Sequence, residues 1–309
     1  NRLRKKLIGW KEFKGILDVI LTLPLVLPPT VVGYLLLLAL GPNRPFGGSE
    51  QLAWSNDSKK IAYSCIKKSG RDYTVSTDTD IYLYDLTSGN TTNLCKLDEA
   101  RSSYGYDNAP QFSPDGKMIA WTSMARDGYE SDQIRLSVMN LATGERTYLT
   151  GMPDANGVTA FDSNVDSYCW APDSKSLYFT GTWHGTTQVY NITLKGKLTK
   201  MTEGDYDYQT VRMIGKDLLL TRVSMSAPAD IYTMKAKAGA EVKQLTNENK
   251  HIFDQIAIGK VEARWCKTAD GKDLHSWVAY PPHFDPTKKY PTLLFCEGGP
   301  QSPVSQFWS

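Results

Sequence analysis

Trp54-Ser55-Asn56-Asp57-Ser58-Lys59-Lys60-Ile61-Ala62-Tyr63 returns as Phe112-Ser113-Pro114-Asp115-Gly116-Lys117-Met118-Ile119-Ala120-Trp121, and again as Trp170-Ala171-Pro172-Asp173-Ser174-Lys175-Ser176-Leu177-Tyr178-Phe179. The leading aromatics lie 58 residues apart each time. A fixed period of this length marks a repeat architecture, in which each unit buries its apolar face on the next. Each block reads as a hairpin. An aromatic ends one strand, a Pro/Asn-Asp-Gly/Ser turn reverses the chain, and an apolar strand follows the Lys. Equal spacing and the matched aromatics argue against three unrelated hairpins.

Working outward, each block is followed by a second hairpin. Tyr82–Leu86 ends in Thr87-Ser88-Gly89-Asn90, Leu136–Leu141 in Ala142-Thr143-Gly144-Glu145, Val189–Ile192 near Lys195-Gly196-Lys197, and Ile231–Lys235 near Ala238-Gly239-Ala240. A short polar strand closes each unit, such as Arg146–Thr150 or Leu198–Thr202. Four antiparallel strands per unit make a propeller blade. A fourth, degenerate unit places Gly215-Lys216-Asp217 between Val211–Ile214 and Leu218–Thr221. About four blades are expected over residues 48–250. The polar insertions from Cys65 to Asp80 and from Met124 to Gln133 belong at a blade edge, where a binding surface would sit. Trp54 and Trp170 are expected to pack between neighbouring blades.

Composition limits the function classes. The 309 residues are 41% hydrophobic and 22% charged, which suits a folded core and excludes general disorder. A net charge of +2, with no later bank of Lys and Arg, gives no nucleic-acid footprint. Five cysteines show no C-x-x-C spacing, and no H-E-x-x-H occurs, so neither a disulfide framework nor a zinc motif is indicated. No metal or cofactor is expected. Asp78/Asp80 and Asp205/Asp207 have the acidity of a Ca²⁺ loop but lack its terminal Glu, and read as turn acids. His184 reads as a hairpin residue.

Residues 1–14 are basic, and no charge occurs between Val19 and Leu40. That run is long enough to cross a bilayer as a helix, with the N-terminus in the cytoplasm and the rest outside. Pro24, Pro28 and Pro29 interrupt it. A signal peptide, a lone signal anchor and a transporter segment remain open. Leu21–Leu35 and the following Gly41-Pro42-Asn43-Arg44-Pro45-Phe46-Gly47 resemble a membrane segment of molybdate-type ABC transporter permeases. On that reading residues 1–47 are a basic flank and membrane segment, attached through residues 15–40 and foreign to the chain beyond Gly47-Gly48-Ser49. The propeller would then lie on the periplasmic side of a bacterial inner membrane.

Residues 251–309 change character. Val261–Trp265 and Leu274–Tyr280 flank the turn Ala269-Asp270-Gly271-Lys272-Asp273. Lys289-Tyr290-Pro291-Thr292-Leu293-Leu294-Phe295-Cys296 then reads as a buried strand running into Glu297-Gly298-Gly299-Pro300-Gln301. Glycines there let backbone N–H groups approach a developing negative charge, the form of an oxyanion loop. The blocks, the Asp270 hairpin ahead of Pro281-Pro282, and the Gly298-Gly299 loop together resemble the prolyl oligopeptidase family of serine peptidases, its dipeptidyl- and acylaminoacyl-peptidase branch.

The resemblance implies a mainly β chain: a partial propeller, then the first strands of an α/β-hydrolase domain over 251–309. It implies peptide substrates, Ser-His-Asp chemistry, and backbone oxyanion donors at Gly298 and Gly299. Glu297 stands where many relatives carry His or Tyr. Asp98 and Glu99 could hold a peptide's free amine, although a solvated loop pair explains them as simply. Four blades fall below the seven or eight that the family implies. No G-x-S-x-G nucleophile elbow occurs in the sequence, so catalysis by this chain alone is not expected. The alternatives are a membrane-anchored TolB-like propeller acting as a binding module and a fragment of an ABC permease. The oligomeric state is left open.

Overall fold

The computed structural model describes residues 51–97, 104–129, 131–151, 161–296 and 303–308. The expected membrane segment 15–40 and the remainder of residues 1–47 lie outside them. So do all four residues singled out for a site: Asp98, Glu99, Gly298 and Gly299. Among the described residues no helix is long and apolar enough to cross a membrane. The chain divides into two compact units, one of residues 1–50 and 65–76, the other of residues 51–64 and 77–309. The described part of the first carries a short helix, Arg71–Val75, and a bond from Lys68 Nζ to Ser76 Oγ of 2.6 Å.

Eighteen described strands carry the repeat and its continuation. Blade one is β1 (Leu52–Trp54), β2 (Lys60–Cys65), β3 (Asp80–Asp85) and β4 (Thr91–Asn93). Blade two is β5 (Asp107–Phe112), β6 (Met118–Ser123), β7 (Arg135–Asn140) and β8 (Arg146–Tyr148). Blade three is β9 (Ser167–Trp170), β10 (Ser176–Trp183), β11 (Thr186–Thr193) and β12 (Leu198–Lys200). Blade four is β13 (Asp207–Ile214), β14 (Asp217–Ser224), β15 (Ala227–Lys235) and β16 (Lys243–Gln244). Strands within each blade pair in sequence order, and the third and fourth blades touch through one parallel bridge, Thr187 to Asp207. A separate hairpin, β17 (Val261–Lys267) with β18 (Asp273–Ala279), comes after them.

The repeated block folds for the reason its turn chemistry gives. Asp57 Oδ1 accepts from Ser55 Oγ at 2.7 Å and from Lys59 N at 3.1 Å. Asp115 does the same with Ser113 Oγ at 2.6 Å and Lys117 N at 3.1 Å. These bonds favour the ionised carboxyl and hold both aspartates below the usual carboxylate range. The next residue is left-handed in all three copies: Ser58 at φ 57°, Gly116 at 70° and Ser174 at 59°.

The period also appears between blades. Asn56 Nδ2 donates to Ser113 O at 3.0 Å, Gln111 Nε2 to Tyr168 O at 3.0 Å, Asp115 N to Ser174 Oγ at 3.0 Å, and Trp170 Nε1 to Gln111 O at 3.0 Å. Each joins one copy to the next. Three apolar cores lie between the blades. Ala62, Ile81, Ile119, Trp121 and Met139 fill the first, with Cys95. Ala120, Leu177, Phe179, Tyr190 and Ile192 belong to the second, and Tyr178, Val189, Tyr208, Leu218 and Leu220 to the third. Side chains alternate across a strand. So β6 sends Ile119 and Trp121 one way and Ala120 the other, and β10 sends Phe179 one way and Tyr178 the other.

Two expectations need correction. Trp170 is buried between blades, but Trp54 is 59% exposed. Trp170 is covered by the blade before its own, and among the described residues no blade precedes β1. The stretch Thr292–Cys296 is not a buried strand: it pairs with no strand among the described residues, and Leu293 is 97% and Phe295 80% exposed. An apolar strand of the parallel type needs neighbours on both edges and helices on its faces, and the described residues supply neither.

Candidate functional site

The two ends of each blade differ in kind. At one end the repeated turns use their carboxylates on their own backbone and hydroxyls, while Asn56 Nδ2 and the Asp115 N–H reach the next blade, which leaves those carboxylates little capacity for a ligand. At the other end lie the connections from second to third strand, which include the Met124–Gln133 insertion. There Arg126 Nε donates to Asp132 Oδ1 at 3.0 Å and Oδ2 at 3.1 Å, and the guanidinium lies 3.9 Å from the centre of the Tyr129 ring. Asp127 Oδ1 accepts from Thr77 N at 2.7 Å. The polar insertion is therefore tied down by its own side chains.

Of the acids read as turn residues, Asp80 and Asp207 instead open β3 and β13, and these two and Asp78 are buried with structural partners. Asp78 and Asp80 are buried and share the ammonium of Lys96, at 2.6 Å and 3.0 Å. Asp80 Oδ2 also accepts from Asn93 Nδ2 at 2.8 Å. Asp207 is buried and accepts from Thr187 N at 2.8 Å. Asp80, Cys95 and Asp107 come together as a buried group with metal-ligand side chains. Its chemistry suits a hydrogen-bond network better. Burial, then the charges of Asp107 and Asp80, push the Cys95 thiol well above its ordinary range, and its sulfur accepts from Ile81 N at 3.2 Å. Lys96 already neutralises Asp80, and Trp121 Nε1 donates to Asp107 Oδ1 at 2.7 Å.

Two features escape a sequence reading. Asp166 has an exposed surface, but the protein packed behind its carboxyl, and then the charge of Asp207, hold it up to about 6; the open surface lets water moderate that shift. It is the described carboxyl placed to exchange a proton near neutral pH, and its only sequence signal is its position ahead of β9. The second is a run of rings. His184, in the β10–β11 turn and beside Trp183 at the end of β10, meets Trp265 of the β17–β18 hairpin, where His275 and Trp277 continue the run. Ring centres are 5.5 Å apart for His184–Trp265, 4.6 Å for Trp265–His275 and 4.8 Å for His275–Trp277. The hairpin thus packs on blade three at the insertion-bearing end. Trp277 Nε1 donates to Val304 O at 3.1 Å, and the buried Gln306 accepts from Met225 N at 3.1 Å, so residues 303–308 are fastened to the hairpin and to blade four.

Four-stranded antiparallel blades that bury their cores between one another define a β-propeller. Residues 51–254 match the model of the TolB beta propeller domain. The chain belongs to that family. It is 46% identical over 269 residues to dipeptidyl-peptidase 5 of Porphyromonas gingivalis, an alignment that covers 87% of this chain and 37% of the relative. Dipeptidyl-peptidase 5 of Aspergillus fumigatus is 26% identical over 282 residues, covering 88% of this chain and 38% of the relative. The chain thus spans little more than a third of the curated relatives it matches. Among solved structures, puromycin hydrolase superposes with a TM-score of 0.52 at 14% identity, over 82% of this chain and 38% of that one, a likeness of fold. The permease-like resemblance of residues 2–47 draws no support from these relatives.

Proposed function

We propose that this chain is the propeller-bearing part of a serine peptidase of the prolyl oligopeptidase family, and that it admits and holds short peptides for removal of dipeptides from the amino end. The observation that carries this is the 46% identity over 269 residues to a dipeptidyl-peptidase 5. The sequence resemblance of the Asp270 hairpin and the Gly298-Gly299 loop to the entry of a hydrolase domain supports the same reading. In this proposal Gly298 and Gly299 supply backbone oxyanion donors, and Asp98 with Glu99 holds the peptide's ammonium group. The sequence contains no nucleophile elbow, so recognition by Asp98 and Glu99 is the part of this proposal that the chain itself puts to the test. The uncharged run 19–40 behind its basic flank supports tethering to a membrane, which carbonate extraction of the full chain tests.

Calorimetric titration of the chain with a tripeptide and its N-acetylated form tests the recognition role. Binding of the free-amine peptide, weakened about tenfold or more by acetylation, is expected, since the ion pair with the peptide's ammonium group is lost. Equal affinity for both peptides, or none for either, overturns the proposal and leaves a TolB-like binding module as the reading of the family match.

A further inference from the structure

The contact between blade three and the β17–β18 hairpin is built on an unusual turn. His184 has φ 52° and Gly185 φ 76°, the two left-handed positions of a type I′ hairpin. Asn or Gly takes the first of these readily. Histidine does so at a cost, and a strained residue of this kind motivates a search for what it does. Gly185 explains the second position in a different way. A Cβ there would stand 2.4 Å from Cε1 and 2.7 Å from Nδ1 of His275. The His275 imidazole therefore rests directly on the Gly185 backbone, with the His184 ring beside the same aromatic group.

We propose that His184 and His275 form a pH-sensitive latch, closed at neutral pH, that holds the β17–β18 hairpin on the tip of blade three and releases it in mildly acidic conditions.

The groups facing His275 set the sign. Loss of water around the docked ring, then the neighbouring imidazole of His184, disfavour a charge on His275, while Asp205 ahead of β13 favours one. The net effect lowers its proton affinity below the ordinary 6.5. On its own hairpin, Asp273 is paired with Lys267 at 2.7 Å, and residues 303–308 bring no ionisable side chain. The Trp265 and Trp277 indoles attract an imidazolium, which opposes the loss of water around the docked ring and reduces the effect. The undocked hairpin binds a proton more readily than the docked one. Docking is therefore at full strength above pH 6.5 and weakens as the pH falls below it. The hairpin continues through Pro281-Pro282 to the exposed Leu293–Phe295, so release would loosen the anchor of that segment. None of this depends on what the chain acts on.

Hydrogen exchange of the full chain at pH 7.5 and 5.0, corrected for the intrinsic pH dependence of exchange, tests the latch. Protection across 261–279 is expected to fall about threefold or more at pH 5.0, while β6 in the inter-blade core holds, as sub-global opening requires. His275→Gln should flatten that fall to under about twofold, and Gly185→Ala should leave the hairpin poorly protected at both pH values. No fall in the native chain, or the native fall retained in His275→Gln, overturns the proposal. If His275→Gln does not dock at either pH, His184→Gln decides: a reduced pH response supports the latch, and a native response overturns it.

Discussion

Ser58, Gly116 and Ser174 occupy one left-handed position in three copies of one turn, and only the middle copy has the residue suited to it. Ser58 holds φ 57°, a conformation that costs an L-residue roughly 1–2 kcal/mol. Glycine relieves that strain but makes the unfolded chain more flexible, so Ser58→Gly should stabilise by a net ~0.5 kcal/mol, read as a higher urea midpoint. Ser174→Gly should gain nothing, because the Ser174 hydroxyl accepts from Asp115 N of the previous blade at 3.0 Å and that bond is worth about 1 kcal/mol. Asp166 gives the pH-dependent case. Its carboxyl titrates near 6 in the native chain against 3.8 unfolded, so the folded state binds the proton more tightly and ionisation destabilises it. Asp166→Asn should therefore stabilise above pH 6, and the gain should fade as the pH drops towards 3.8. Asp166 is exposed, and solvent screening reduces the expected gain to under about 1 kcal/mol. Thermal melts of both proteins at pH 8 and pH 4 check the sign.

At the scale of the element, the blade is defined by what its strands exclude. Gly105, just ahead of β5, shows how closely the backbone segments approach. A Cβ there would lie 2.7 Å from Met124 O, 2.8 Å from Met124 C and 3.0 Å from Arg126 N. All three are main-chain atoms, so no rotamer change can make room. Gly105→Ala should destabilise by about 1–3 kcal/mol, seen in the same urea series. Such a contact leaves no trace in the local sequence, whereas the turns do. Asp57, Asp115 and Asp173 announce their hairpins because the chemistry of the turn is contained in five or six residues. The degenerate hairpin at Gly215-Lys216 is legible for the same reason. Thr292–Phe295 and Trp54 mislead because burial depends on a partner, and apolar content reports only that a partner is needed. The candidate site is the least legible. His184 and His275 belong to elements 91 residues apart in the chain, and no local pattern links them, while Asp98, Glu99, Gly298 and Gly299 rest on the family resemblance.

For the molecule as a whole, the cores between blades determine how damage spreads. No blade has a core of its own, so each is stabilised by its neighbours, and a nearest-neighbour description applies. Ile119 belongs to the core between blades one and two and Leu218 to that between blades three and four; these cores share no residue. Ile119→Val should cost about 0.5–1.5 kcal/mol and Leu218→Ala about 2–5 kcal/mol. Their costs should add to within about 0.5 kcal/mol in the double variant. Phe179 and Tyr178 provide the contrast. They are adjacent on β10 but face different cores, and a shift of that one strand moves both. Phe179→Leu combined with Leu218→Ala should therefore depart from additivity, although the two side chains belong to different cores, because β10 carries the strain from one to the other. Equilibrium urea unfolding of the single and double variants beside the native chain gives both coupling energies. Additivity in both cycles would mean that β10 does not transmit strain. Coupling in both would mean that the blades unfold as one block instead of through their nearest neighbours.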